Sequence, residues 1–336
     1  MRLDLAQIKN ITLGAVRVEE TENGIDFYRF TESQEELYKN RSEDFYIKSF
    51  SSSGVRLSFC TDSETLSLKT EVSKGSSRTY FSFDLFVNSK KTDTLSNFDE
   101  KEMPPDYTKG KYPLGEFEKE FKLGAGEKQV ALYLPWSVKT TLKELSIDDN
   151  AFIKPIKPHH KMLCFGDSIT HGYDALSCSN KYITQLANLL DAEEYNKAIG
   201  GEIFCPALAA TKENFVPDYI TVAYGTNDWS KCSFEVFSEN CKGFFYNLNE
   251  NYKKSRIIVI LPIWRKEVVE EGRLDTFKQV TEFIKNTAEQ YNMIVIDGFD
   301  FIPQEEKFYA DFRLHPNDKG FDYYFKGLAE KMKLSE

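Results

Sequence analysis

Four short segments in the second half of the chain hold residue types that could together carry out acyl transfer. Phe165–Gly166–Asp167–Ser168–Ile169–Thr170 follows an apolar run, and Asn196–Lys197–Ala198–Ile199–Gly200–Gly201 lies some thirty residues on. Tyr224–Gly225–Thr226–Asn227–Asp228 comes third, and Asp311–Phe312–Arg313–Leu314–His315–Pro316 stands just before the last helical pattern. A serine hydroxyl is a weak nucleophile until a neighbouring base accepts its proton. The reaction also needs donors aimed at the oxyanion of the tetrahedral intermediate. A glycine permits close backbone approach, and an asparagine amide supplies a side-chain donor.

The elements around these segments alternate. Candidate strands cover 161–165, 193–197, 219–224, 257–261 and 293–297, and helical patterns cover about 180–190, 234–252, 270–291 and 318–334. In the third helix Leu274, Phe277, Val280 and Ile284 recur at helical spacing and form one apolar stripe. Such alternation predicts a doubly wound, mostly parallel sheet with helices on both faces. Three of the four segments follow strands, so they fall at the carboxyl edge where open α/β sheets place ligands.

Before residue 155 the rhythm is different. Leu66, Leu68, Thr70 and Val72 alternate with polar residues, as do Val130, Leu132, Leu134 and Trp136, and the odd positions of 81–87 are all apolar. Turn signals at Glu22–Asn23–Gly24, Ser53–Gly54 and Gly124–Ala125–Gly126 separate these runs. Many short strands and no convincing long helix predict an antiparallel β-sandwich of jelly-roll type. Residues 152–158, with Pro155 and Pro158, read as an extended linker. The expected division is a sandwich domain over 1–154 and an α/β domain over 155–336.

The four segments, in this order, resemble the blocks of the SGNH (GDSL-type) hydrolase family, which centre on Ser, Gly, Asn and His; the match covers roughly residues 160–335. The resemblance implies a flavodoxin-like three-layer α/β fold. It implies Ser168 as nucleophile, with the Ser168 and Gly201 amides and the Asn227 side chain forming the oxyanion hole. It implies His315 as the base that takes the serine proton and returns it to the leaving alcohol. The family's acid usually stands three residues before the histidine, where this chain has Phe312; Asp311 lies four before. A turn of helical backbone would bring Asp311 and His315 onto one face. A backbone carbonyl could instead orient the ring, as the resemblance to some two-domain carbohydrate esterases suggests.

The chain has only four histidines. His159 and His160 are adjacent in the linker, where solvated side chains are the plain account. His171 could line the site mouth, face solvent or cap a helix. No His/Cys/Asp/Glu cluster has metal-ligand spacing, so neither a metal nor another cofactor is expected. Asp167 reads as a residue that ties down the Ser168 turn. Trp229, Trp264 and Arg265 could border the pocket. Tyr107, Tyr112, Tyr133 and Trp136 could form a sugar platform, although aromatics at strand spacing are more often core.

Net charge is −10, with both signs mixed along the chain, which argues against nucleic acid or an anionic membrane as partner. An acidic chain can still carry a local basic patch. No apolar stretch approaches the roughly 20 residues needed to cross a bilayer, and Asp4, Gln7 and Lys9 interrupt any secretion-signal core. The six cysteines, with no regular spacing, read as free thiols. These features predict a cytoplasmic protein. The expected activity is an O-acyl esterase, most plainly a deacetylase of a small carbohydrate or glycoside. The alternatives are a lipid acylhydrolase or thioesterase, which would want a long apolar pocket or lid, and a non-catalytic glycan-binding module.

Overall fold

The computed structural model describes residues 1–334. In the N-terminal region the chain forms β1 (Thr12–Leu13), β2 (Arg17–Thr21), β3 (Gly24–Tyr28), β4 (Arg56–Thr61), β5 (Thr65–Lys74) and β6 (Ser82–Val87). It continues through β7 (Lys90–Ser96), β8 (Gly115–Lys122), β9 (Lys128–Tyr133), β10 (Val138–Ile147) and β11 (Lys154–Pro155). These build two antiparallel sheets, one ordered β1-β4-β9-β6-β7 with β11 on β4, the other β2-β3-β10-β5-β8. The alternation in β5 has its expected cause: Leu66, Leu68, Thr70 and Val72 are buried between the sheets.

β6 departs from simple alternation, since Ser82, Phe83, Asp84 and Leu85 are all buried. Phe83 and Leu85 face the core between the sheets. Asp84 accepts from the Ser179 N–H (2.9 Å) and the Ser177 hydroxyl (2.7 Å), both in the α/β region. This sheet is therefore covered on both faces.

The N-terminal region also carries helices that strand-like patterning does not anticipate: α1 (Leu5–Ile11), α2 (Glu32–Arg41) and α3 (Glu43–Ser49). Capping boxes start two of them, Asp4 with Gln7 and Thr31 with Gln34. α2 is highly polar, and only Gln34 and Tyr38 are buried, so no apolar stripe marks it in sequence.

After β11 the parallel sheet begins. Its strands are β12 (His160–Gly166), β13 (Ala192–Asn196), β14 (Tyr219–Ala223), β15 (Arg256–Ile260) and β16 (Ile294–Ile296), ordered β13-β12-β14-β15-β16. This is the flavodoxin-like order, and it reverses between β12 and β14. The helices are α4 (Ser168–His171), α5 (Tyr182–Leu189), α6 (Pro206–Ala210), α7 (Thr226–Lys231) and α8 (Phe234–Asn251), then α9 (Lys266–Glu270), α10 (Leu274–Glu289) and α11 (Asp318–Lys331). The helix expected over 270–291 is α10, which starts only at Leu274; a separate short α9 precedes it, with Gly272 at φ +62° between them.

Strands buried on both faces carry near-continuous apolar runs. In β12, Met162 and Cys164 enter one apolar cluster while Leu163 and Phe165 enter the other. Both clusters extend into the N-terminal region. Tyr80, Tyr107, Tyr133 and Trp136 join the first, and Phe30 and Tyr38 join the second. A buried aromatic of this kind contributes on the order of 2–3 kcal/mol. All six cysteines are free.

Candidate active site

Ser168 opens α4 directly beyond β12, and Asn227 lies in the first turn of α7 directly beyond β14. Both therefore stand where the strand order reverses. The Asp167 carboxylate caps α4 by accepting from the Ile169 N–H at 3.0 Å, and Gly172, at φ +114°, ends it in the left-handed conformation that disfavours a side chain. Asp167 is buried, which pushes its carboxyl up to about 6.

His315 Nε2 lies 2.8 Å from Ser168 Oγ, and His315 Nδ1 lies 2.8 Å from Asp311 Oδ2. The helical turn expected between Asp311 and His315 is absent. The segment is a loop in which Asp311 Oδ1 accepts from three successive backbone N–H groups, those of Arg313, Leu314 and His315. Phe312 sits at φ +59° within it, a strained position for an aromatic residue. Burial alone would raise the Asp311 carboxyl. The imidazole and the backbone N–H groups outweigh it and hold the carboxyl well below the usual carboxylate range.

Among the described residues, the N–H groups of Ser168 and Gly201 have no acceptor. The Asn227 amide donates one hydrogen to the Glu202 carbonyl at 2.9 Å, which leaves the other available. The loop carrying Gly200 and Gly201 is braced from behind. His171 neither lines the mouth nor faces solvent: it is fully buried, and its Nδ1 accepts from the Gly200 N–H at 3.2 Å. Its Nε2 lies 3.0 Å from the Trp136 carbonyl and 2.8 Å from Ser51 Oγ, so the neutral Nε2–H tautomer satisfies the set. Burial holds its pKa well below the ordinary value. The buried Arg29 guanidinium donates to the carbonyls of Asn196 (2.6 Å), Ala198 (3.2 Å), Lys48 (3.0 Å) and Ser51 (2.7 Å).

A second carboxylate faces the imidazole. Asp174 Oδ2 lies 3.4 Å from His315 Nδ1, and the residue is fully buried at φ +73°. Arg78 grips it through Nε (2.7 Å) and Nη2 (3.0 Å), and the Tyr80 hydroxyl donates to it at 2.7 Å. Asp174 follows Ser168 by six residues with no motif to single it out, and Arg78 lies in the other region of the chain. The fold thus gathers Asp174, Asp311 and His315, with potential ligand atoms within 4.8 Å, although the sequence has no metal-ligand spacing. Both Asp174 oxygens are already taken by Arg78, and a cation would have to displace that guanidinium.

Residues 164–323 match the GDSL-like lipase/acylhydrolase family. Residues 164–323 thus form a GDSL-type hydrolase unit within the α/β region. Its reaction class is carboxylic ester hydrolysis. No curated protein sequence matches it. Among solved structures, a salicylyl-acyltransferase from a tetracycline biosynthetic pathway has 20% identity and a TM-score of 0.79, over 96% of this chain and 93% of its own. A family two carbohydrate esterase from Cellvibrio japonicus has 16% identity and a TM-score of 0.67, over 99% and 97%. An acetyl xylan esterase from the rumen bacterium Butyrivibrio proteoclasticus has 16% identity and a TM-score of 0.64, over 100% and 99%. At such identities the likeness is one of fold, and it includes the sheets of the N-terminal region.

In this hydrolase an open cavity of about 460 Å³ borders Ser168, Gly201, Asn227 and His315. Arg265 lines it, as expected of a bordering residue, whereas Trp229 and Trp264 are buried beside it. Its other walls were not legible in sequence: Lys48, Ser77 and Arg78 from the N-terminal region, and Tyr173, Lys231 and Arg313 from the α/β region. Tyr107, Tyr133 and Trp136 are buried in the shared core and offer no exposed sugar platform, and Tyr112 packs at its margin. His159 pairs with Asp191, and His160 Nδ1 lies 3.7 Å from Asp218, both away from the cavity. No helix among the described residues is long and apolar enough to cross a membrane.

Proposed function

We propose that this hydrolase is a serine esterase that removes small acyl groups, acetyl above all, from a carbohydrate or glycoside. In this reading His315 Nε2 accepts the Ser168 proton as Oγ attacks the ester carbonyl. The negative charge that develops on the carbonyl oxygen is met by the Ser168 and Gly201 N–H groups and the Asn227 amide. The tetrahedral intermediate expels the alcohol, which takes the proton back from His315, and leaves an acyl group on Ser168. Water, deprotonated by His315, then releases the acid. Asp311 keeps Nδ1 protonated, so that Nε2 is the basic nitrogen, and stabilises the imidazolium.

The observation that carries this reading is the continuous run Ser168 Oγ–His315 Nε2, His315 Nδ1–Asp311 Oδ2, each 2.8 Å, at the wall of an open cavity. The carbohydrate half draws on the fold shared with the esterases named above. It also draws on the wall itself, in which Tyr173 and Leu314 are the only large apolar side chains. A lipid acylhydrolase would need an apolar channel for its chain, and a bare binding module would not need the Ser–His contact. Hydrolysis of 4-nitrophenyl acetate by wild type and Ser168→Ala tests the mechanism: a loss of about 10³-fold or more is expected, and equal rates would overturn it. Octanoyl esters cleaved faster than acetyl esters would overturn the small-acyl reading.

A further inference from the structure

The wall of the cavity is one-sided in charge. Lys48, Arg78, Lys231, Arg265 and Arg313 line it, and no carboxylate among the described residues does, although acidic residues outnumber basic ones in the chain, 53 to 43. The carboxylates that answer these cations stand outside the lining: Asp44 beside Lys48, Asp174 beside Arg78, and Glu267 shared by Arg265 and Arg313. Lys231 has no carboxylate partner among the described residues. Its ammonium donates to the Gly201 carbonyl at 2.7 Å.

Lys231 and Lys48 also converge. Their Nζ atoms lie 3.3 and 4.0 Å from the point at which a Gly201 side chain would begin, and Lys48 Nζ donates to the Gly200 carbonyl at 2.8 Å. Two like charges held beside one glycine repel each other. Burial and the nearby Lys48 both lower the pKa of Lys231, while the buried carboxylates beneath it oppose the shift. An anion between the two ammonium groups would relieve that repulsion.

Lysine and arginine side chains donate hydrogen bonds and accept none. A neutral sugar hydroxyl brings a donor along with its acceptors and calls for a mixed wall. A carboxylate brings acceptors only, which is what the five cations of this wall, as donors only, call for.

We propose that the face formed by Lys231 and Lys48 is an anion subsite, and that the preferred ester carries a carboxylate close to the acylated hydroxyl. This rests on the esterase reading above and names its substrate class as an acidic sugar, or else an acyl group that itself bears a carboxylate. Lys231 is the principal contact, because among the described residues it is the one cation of the wall with no carboxylate within ion-pair distance.

Three esters separate the sources. 4-Nitrophenyl acetate is neutral, 5-acetoxy-2-nitrobenzoate carries its carboxylate on the alcohol side, and mono-4-nitrophenyl succinate carries it on the acyl side. Wild type should favour one carboxylated ester over the neutral one by about tenfold in kcat/KM, with the preference shrinking as salt is added. The ratio should fall about tenfold in Lys231→Met and further in Lys231→Glu. Lys231 is exposed, so both variants should fold. Equal ratios in wild type and both variants, for both carboxylated esters, would overturn the subsite. Binding of 5-hydroxy-2-nitrobenzoate and of succinate to Ser168→Ala, compared with Ser168→Ala/Lys231→Glu, reads the subsite without hydrolysis. At least one of the two ligands should bind the former protein at least tenfold more tightly. Equal affinities for both would overturn the subsite even if Ser168 proved not to be the nucleophile.

Discussion

The two regions of the hydrolase contribute in different ways to one cavity. The α/β region supplies Ser168, Asn227, Gly201, His315 and Asp311, all on loops or first helical turns beyond strands or ahead of α11. The N-terminal region supplies none of these. It supplies the groups that hold them: Arg29 and Ser51 behind the glycine loop, the Trp136 carbonyl on His171, and Arg78 and Tyr80 on Asp174. The proposed catalytic groups thus come from one region, and side chains and carbonyls of the other contact the loops and side chains around them. An active-site hydrogen bond depends on tenths of an ångström, so the proposed role of these contacts is to hold the loops to that precision.

The largest effect should come from within the α/β region. Asp311→Asn removes the charge opposite His315 Nδ1 and allows the wrong tautomer, so kcat should fall about 10³- to 10⁴-fold with little change in fold. Steady-state kinetics on an acetyl ester check this. A loss below tenfold would mean that Asp174, 3.4 Å from the same nitrogen, suffices to orient the ring.

Next is the brace. Arg29→Met would leave the buried carbonyls of Ser51, Lys48, Asn196 and Ala198 without their donor. A destabilisation of about 3–5 kcal/mol is expected, read from the urea midpoint, with activity lost in parallel as the glycine loop loosens. A change below about 1 kcal/mol would show that the α/β region holds its own loop. Arg78→Met tests the other contact. It leaves the buried Asp174 carboxylate unpaired beside His315, and kcat should fall about tenfold. Unchanged kcat would confine the N-terminal region to packing.

What is legible in the sequence divides along the same line. The parallel strands, α8, α11 and the stripe of α10 were legible because periodic burial writes itself into residue type. Ser168, Gly201, Asn227 and His315 were legible because each stands in a compact motif at a strand end or helix start. Asp174, Arg78, Lys48 and Arg29 were not, because their role exists only once the two regions meet. The same holds for His171: in sequence it is a polar residue after a turn, and the Ser51 and Trp136 groups that bury it lie 120 and 35 residues away. The Asp311–His315 contact was anticipated through helical geometry but is made by a loop, since the Asp311 side chain itself collects the N–H groups that would otherwise begin a helix.

The smallest effect expected is in Asp167, and it separates stability from function. Its carboxyl is raised from 3.8 to about 6 by burial, so the folded state holds this proton more tightly than the unfolded chain does. The stability this contributes is full below about pH 3.8 and is lost as pH rises through 6. At pH 8 the buried charge costs at most about 3 kcal/mol. Asp167→Asn keeps an oxygen for the Ile169 N–H and removes that charge. The variant should therefore be more stable than wild type by about 1–3 kcal/mol at pH 8 and about equal near pH 4, as urea unfolding at the two values would show. Asp318, pushed up to about 7 by burial, titrates in both proteins, whereas Asp228, pushed up to about 7 by burial and in part by the Asp167 charge, ionises more easily in the variant and adds to the difference at pH 8. The same carboxylate is electrostatically coupled to His315 and Lys231, so kcat should drop about two- to fivefold in the variant. A more stable protein that is also slower would mark Asp167 as a charge retained for the reaction. A variant stabilised at pH 8 with full activity would assign the residue to the turn alone.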